Sequence, residues 1–318
     1  MYTYFVRVGS HLVQASLRLP DEVIDRGLKV VITLTAIALV AFGGYYYRDR
    51  YASPVPTVQD QALRQLEAQV MQDPQNPEAR VQVAWGYLDA GLIEQALTQF
   101  DEALKLREDY QAALIGKGNA YVRKGDLNAA QAPFELVAQL NENNPFKRTL
   151  RELQGVYYYL GTIYAQQGQD DRAIQAFTEA LAIDSADADS LYGLGTAYLR
   201  QGDLEQARAA LEQAVRLDPV FAEGYHALQT VYEQQGMVGH VLLARGMLSL
   251  SQGNYDEALK HLHQAVRTVP DLAEAHQALG IVYDRKGQQA EALDAFQSAL
   301  ERNPDLPLAR GGVARLNR

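Results

Sequence analysis

The chain has 318 residues, 47% hydrophobic and 21% charged, so it can bury ample apolar surface and lacks the composition of a disordered protein. It contains no cysteine, which excludes disulfides, thiol catalysis and thiolate metal sites and is compatible with an oxidising compartment. The net charge of −10 is uneven: residues 1–56 hold six Lys/Arg against four Asp/Glu, and the remainder holds 23 against 35. An acidic body argues against nucleic acid, whose binding rests on phosphate neutralisation. It leans toward a basic protein segment, beside the plainer reading that surface acids keep the chain soluble.

In chain order, Met1–Leu19 is apolar and basic with no acid. Tyr4, Phe5, Val8, Leu12 and Ala15 fit one helical face on a membrane surface, or the stretch is an unstructured tail. Pro20-Asp21-Glu22 reads as a helix start. Val30–Tyr47 then runs eighteen residues without a charge. At ~1.5 Å per residue that spans about 27 Å, close to the ~30 Å of bilayer hydrocarbon. Arg26 and Lys29 flank one end, and three tyrosines followed by Arg48 flank the other, as an aromatic belt and anchor would. The sequence therefore predicts a single-pass transmembrane helix over 30–47, after a tail at 1–29. The cations flanking the run are balanced, and Arg7 tips the prediction toward a cytoplasmic N-terminus with the rest of the chain on the extracytoplasmic side. A proline-bearing linker at 48–59 would hold residues 60 onward close to the bilayer.

From residue 60 the chain repeats itself. Ala188–Phe221 holds two amphipathic helices, with Leu191, Leu194, Gly195 and Tyr198 on the first and Ala207, Leu211 and Ala214 on the second. The turn glycine between them recurs as Gly91, Gly125, Gly168, Gly202, Gly236, Gly253 and Gly287, at intervals of 34, 43, 34, 34, 17 and 34. A second-helix alanine recurs as Ala96, Ala130, Ala173, Ala207, Ala258 and Ala292. Glycine turns the chain without a β-carbon penalty, and alanine lets helices approach closely. A 34-residue helix–turn–helix unit with these small residues resembles the tetratricopeptide repeat, or TPR. That resemblance implies an all-α, right-handed α-solenoid of about six full repeats plus half repeats.

The expected order is a capping half repeat at 60–76, units over 77–144, an insertion at 145–153, units over 154–221, a half repeat at 222–238, units over 239–306 and a cap at 307–318. Three irregularities stand out. The insertion either lengthens the following helix by some two and a half turns or forms a loop, and it brings Lys147, Arg148 and Arg151 together as a secondary contact. The half repeat keeps its first helix and loses its second, which predicts a bend or seam near Gly236–Gly239 splitting the solenoid into two blocks. Pro307–Arg318 starts like another first helix and stops.

No phosphate-binding loop, dinucleotide fingerprint, HExxH or GxSxG motif occurs. His261 and His263 are two apart on a helix and point to different faces, so they cannot chelate together. No catalytic residue, metal or cofactor is expected, and no small-molecule substrate. The TPR resemblance implies a concave surface built from the first helices. Its repeat positions fall on Val81, Trp85 and Leu88, then Ile115, Asn119 and Val122, then Tyr158 and Thr162, then Tyr192, Thr196 and Leu199; further on they fall on His226, Thr230 and Glu233, then Leu243 and Met247, then Gln277, Ile281 and Asp284. The lysine–asparagine pair with which some TPR proteins clamp carboxylates is missing, because Ile115 stands where the lysine would precede Asn119. Binding would then rest on apolar burial of a peptide or helix, with Trp85, the single tryptophan, as an anchor, or else the capping helix over 61–72 covers Val81 and Trp85 as ordinary core. The functional expectation is a non-catalytic, membrane-anchored scaffold for a protein partner, itself membrane-associated. The alternative is a structural or assembly subunit built into a membrane complex.

Overall fold

The computed structural model describes residues 29–35, 37–43, 46 and 58–317, and the chain divides into compact units at 1–61 and 62–318. Of the charge-free run, residues 30–35, 37–43 and 46 are described and helical. Val30, Val31, Leu34, Ile37, Leu39, Val40 and Phe42 are all exposed. The Thr33 and Thr35 hydroxyls donate to the carbonyls of Lys29 and Val31, each at 2.8 Å, so these polar groups are satisfied inside the helix. No helix among the described residues is long and apolar enough to cross a membrane. The readings of residues 1–28 and 48–57 lie outside the described residues.

The second unit is a succession of helices without a strand among the described residues. They are α1 (Val58–Gln72), α2 (Pro77–Asp89), α3 (Ile93–Leu106), α4 (Gln111–Lys124), α5 (Leu127–Leu140), α6 (Glu152–Gln166), α7 (Asp170–Ile183) and α8 (Ala188–Gln201). There follow α9 (Leu204–Leu217), α10 (Ala222–Gln234), α11 (Val238–Ser251), α12 (Tyr255–Thr268), α13 (Ala273–Arg285), α14 (Gln289–Arg302) and α15 (Pro307–Leu316). Short polar side chains start several of them. Asn76 accepts the Ala79 amide and Asp126 that of Ala129, each at 3.0 Å, which satisfies amides that a helix start leaves bare. The seven turn glycines end the first helices with φ between +70° and +80°, a region where a β-carbon is strained. The six recurring alanines are completely buried.

What stacks one hairpin on the next is a large side chain of the second helix set into notches of two first helices. Phe177 of α7 lies against Gly161 of α6 and Gly193 of α8; a β-carbon at Gly161 would fall 2.7 Å from its ring, and one at Gly193 closer still. Phe296 of α14 is held the same way, with added β-carbons at Gly280 of α13 and Gly312 of α15 each 2.5 Å away. Leu211 and Leu262 fill the equivalent notches at Gly195 and Gly246, each 2.6 Å from an added β-carbon. Charges repeat the pattern outside the core. The end of a first helix reaches back to the start of the preceding second helix in Lys124–Glu94 at 2.8 Å, Arg200–Asp170 at 2.5 Å and the Lys286–Asp256 pair. Exposed pairs of this kind contribute little, so the notches carry the stacking.

The insertion does not lengthen the following helix. Asn144 accepts the Phe146 amide at 3.0 Å, as a cap would, but the chain makes only a 3-10 turn at Lys147–Thr149 before Leu150 goes extended at ψ 94°. The turn closes on itself through the Thr149 hydroxyl to the Phe146 carbonyl at 2.8 Å. Asn141, 1% exposed, anchors the loop by donating to Gln111 and to the Val137 carbonyl, both at 2.9 Å. The α6 helix therefore starts at Glu152 and has 15 residues, one more than α7.

Nor does the half repeat divide the solenoid into blocks. Residues 62–318 form one compact unit, and one core cluster continues from Ala207 to Ala295 across the expected seam. The reason is α11, which closes on α10 through the Gly236 turn and on α12 through the Gly253 turn. It is buried on most of its circumference, with Gly239, Val241, Leu243, Ala244, Gly246, Met247, Ser249 and Leu250 all inside. A helix with apolar residues on most of its faces must be covered on most of them. The chain closes with α15, whose Ala309 and Gly312 are buried and whose Arg315 holds Asp284 by two bonds of 3.0 and 2.7 Å.

The notches predict opposite outcomes for one substitution at two glycines. Gly161→Ala crowds the Phe177 ring and is expected to cost about 1–3 kcal/mol. Gly155→Ala on the same helix meets nothing within 4 Å and is expected to stabilise by about 0.5–1 kcal/mol. Thermal unfolding of both variants checks the pair.

Candidate functional site

Two hollows are lined in part by first helices. The smaller, of about 260 Å³, lies between α6 and α8 and is lined by Tyr158, Thr162, Phe177, Asp189, Tyr192 and Thr196 among others. Tyr158 and Tyr192, both expected at the groove, are thus brought together. Tyr158 packs at 6.3 Å on Phe177 and Tyr192 edge-on at 5.2 Å on Phe221. The carboxyl of Asp189 is pushed above its usual range by burial and then by Asp187, Asp218 and Glu223. Four acids therefore crowd the space between α8 and α10.

The larger hollow, about 370 Å³, lies over α11. Leu243, Ala244 and Met247 line it from α11, Tyr225, Leu228 and Tyr232 from α10, and Gln277, Ala278 and Ile281 from α13. The end of α9 adds Glu212, Val215 and Arg216, and the stretch 303–308 adds Asp305, Leu306 and Leu308. Tyr232 donates to Glu212 at 3.0 Å, and burial raises both Tyr225 and Tyr232 well beyond the usual phenol range. His240, whose ring lies 5.1 Å from that of Tyr232, is held below its usual range by burial, against the pull of Glu212 and Glu274. Arg208 adds to the effect of burial, and both favour the neutral ring.

The other residues expected at the groove are placed differently. Val81 and Leu88 are 6% and 2% exposed and belong to the core, so they offer no surface. Helix α1 covers this end: Leu63 and Leu66 approach Gly86, and Tyr87 donates to Glu67 at 2.8 Å. Trp85 is half-buried, edge-on to Phe100 at 5.8 Å. Ile115 and Val122 are half-buried against the cluster around Phe134, and Leu199 against the one around Leu211. Asn119 is half-buried on α4. In the insertion, Lys147 pairs with Glu179 at 3.1 Å, while Arg148 and Arg151 are exposed.

Sequence reasoning missed Tyr225, Leu228 and Tyr232. Repeat positions pointed on α10 to His226, Thr230 and Glu233, a different face of that helix. The interval of 17 between Gly236 and Gly253 was the available signal that α10 has an unusual neighbour. Among the described residues no group of three or more His, Asp or Glu is arranged to hold a metal ion. His276 bonds to the Pro270 carbonyl at 3.0 Å, and His261 lies 3.7 Å from Glu257.

Models of the tetratricopeptide repeat match residues 57–117, 112–144, 158–231 and 238–305. Over 72 residues, 22% of its length, the chain is 38% identical to the photosystem I assembly protein Ycf3 of Cuscuta gronovii and of Cuscuta obtusiflora. The match spans 43% of those relatives. Among solved structures it is similar to YrrB, described as a TPR protein with an unusual peptide-binding site, at 20% identity and TM-score 0.48, over 66% of this chain and 95% of that one. It is also similar to the Cut9–Hcn1 assembly, at 18% identity and TM-score 0.42, over 82% and 46%.

The electrostatics of the larger hollow give a pH prediction. The fold disfavours protonated His240, and also His263, which burial and then Arg267 lower. The unfolded chain takes those protons first, so stability falls as pH drops below about 6.5. Urea midpoints at pH 7.5 and 5.5 are expected to differ in that sense, and His240→Gln to narrow the difference.

Proposed function

The chain belongs to the tetratricopeptide repeat family, and on that premise we propose that it is a non-catalytic scaffold, tethered to the bilayer through residues 30–47, that holds a protein partner on the first-helix face of its repeats. Proteins of this family mediate protein–protein interaction. The observation that carries the reading is the pair of hollows, where aromatic and aliphatic side chains meet in open concave surface. Such hollows gain most from burying an anchor side chain, roughly 1.5–3 kcal/mol for each one fully covered. A few anchors suffice for micromolar binding after the cost of association. The tether rests on the sequence of 30–47 and on its exposed helical side chains, which bilayer hydrocarbon would cover.

Affinity purification of the full chain from its native membranes, quantified by mass spectrometry, tests the groove. A Tyr158→Ala/Tyr192→Ala double variant and an Ile281→Ala variant, each with unchanged circular dichroism, are expected to lower partner recovery at least tenfold between them. Unchanged recovery with both counts against the groove. Alkaline carbonate extraction tests the tether. The full chain should stay with the membrane pellet and a version lacking residues 30–47 should be released, whereas release of both removes the anchor.

A second reading, an assembly factor or subunit of a membrane complex, is supported by the similarity to the photosystem I assembly protein Ycf3. Its contacts would include the insertion loop with exposed Phe146, Arg148 and Arg151. Deleting residues 145–153 separates the two readings: a built-in subunit loses its place in the complex, and a groove-binding scaffold keeps its partner.

A further inference from the structure

The hollow over α11 has a sign of charge as well as a shape. Glu212, Glu274 and Asp305 stand at its lip against one arginine, Arg216. Glu212 receives the Tyr232 hydroxyl. Arg216, Glu274 and Asp305 have no ion-pair partner among the described residues. Among the lining residues the charges sum to two negative, with Arg208 near His240 as a further cation. Toward α8 the same sign continues through Asp218, Glu223 and Asp189, whose carboxyl is raised by burial and then by its acidic neighbours.

The floor is apolar. Leu243, Ala244 and Met247 are all below a tenth exposed and so form a firm base. The hollow has a volume of about 370 Å³. The space suits a few side chains of one segment and is too small for a domain. An acidic ligand would meet like charge at close range. A second copy is disfavoured for the same reason, since the chain beyond residue 56 carries 35 acids against 23 bases and copies of it repel.

We infer that the hollow over α11 receives a short, basic, amphipathic segment of a protein partner, with an apolar side chain seated over Leu243 and Met247 and flanking lysine or arginine side chains answering Glu274 and Asp305. This rests on the scaffold reading and adds the chemistry of the partner. The floor supplies the affinity, and the lip selects among apolar segments by the charges beside their anchor.

The test uses the full chain purified in detergent and two synthetic helical peptides that share an apolar face of leucine and phenylalanine. One carries lysine at every flanking position and the other glutamate; binding is read by fluorescence anisotropy. The lysine peptide is expected to bind at least tenfold more tightly, at about three- to fivefold per answered charge, and to weaken as salt rises. A Glu274→Gln/Asp305→Asn variant, with surface charges altered and the floor intact, should bring the preference below threefold. Ile281→Ala should weaken both peptides alike.

Equal binding of the two peptides, binding of neither, or a preference that survives the Glu274→Gln/Asp305→Asn change overturns the inference. If both peptides bind equally and Ile281→Ala weakens both, the groove stands as a protein-binding site and its charge selectivity falls. If Ile281→Ala also leaves binding and partner recovery untouched, the scaffold reading of this groove falls with it. A dimer in size-exclusion chromatography that the lysine peptide does not compete would assign the hollow to a second copy, against the inference.

Discussion

The seating of one second-helix side chain between two first helices sets the terms for the rest of this fold. Phe177 touches Gly161 in its own hairpin and Gly193 in the next, so its burial belongs to neither hairpin alone. The same holds for Phe296 between Gly280 and Gly312. A hairpin removed from its neighbours exposes half of each such contact, which is why stability in a solenoid is a sum over adjacent pairs. Close packing makes the contact unforgiving, because a notch sized for a ring has no room for a methyl group.

That constraint also decides where function can sit. The glycines and buried alanines occupy the faces that pack, and the remaining face of each first helix is left to present side chains. Tyr158 and Tyr192 are displayed in this way, close to the acids between α8 and α10. Where the succession loses a helix the rule is strained. The α11 helix packs against α10 as a second helix would and against α12 as a first, with its Gly246 notch filled by Leu262. The hollow at this junction is lined from α9, α10, α11 and α13 together, so an irregularity in the count of helices becomes an irregularity of surface.

Much of the fold was legible because it is carried by residues with a steric reason to be small. The glycine intervals located all seven turns, each now seen in the left-handed region, and the alanine intervals located six fully buried contacts. The insertion was harder to read. Asn144 and Pro145 carry a helix-start signal, and whether the helix continues depends on Leu150 and on the tether from buried Asn141 to Gln111, a contact 30 residues away. The candidate site was legible in part. Repeat position brings Tyr158 and Tyr192 to one hollow. At Val81 and Leu88 α1 closes the stack and the side chains are core, the alternative the sequence offered for Val81, and on α10 the neighbour plays two parts. Long-range partners decide those cases, and a local pattern does not contain them.

The central claim is that the chain acts by presenting first-helix surface, with the junction over α11 as a point of engagement. Leu308, 40% exposed at the edge of that hollow, can carry a photo-crosslinking side chain without disturbing the core, and exposed Gln264 on α12 serves as a control from a second helix. Crosslinking in intact membranes followed by sequencing of the attached peptide is the most direct measurement. The account predicts that the Leu308 position captures an apolar segment flanked by lysine or arginine and that the Gln264 position does not. Capture at Gln264 with none at Leu308, or of acidic segments at Leu308, would contradict it.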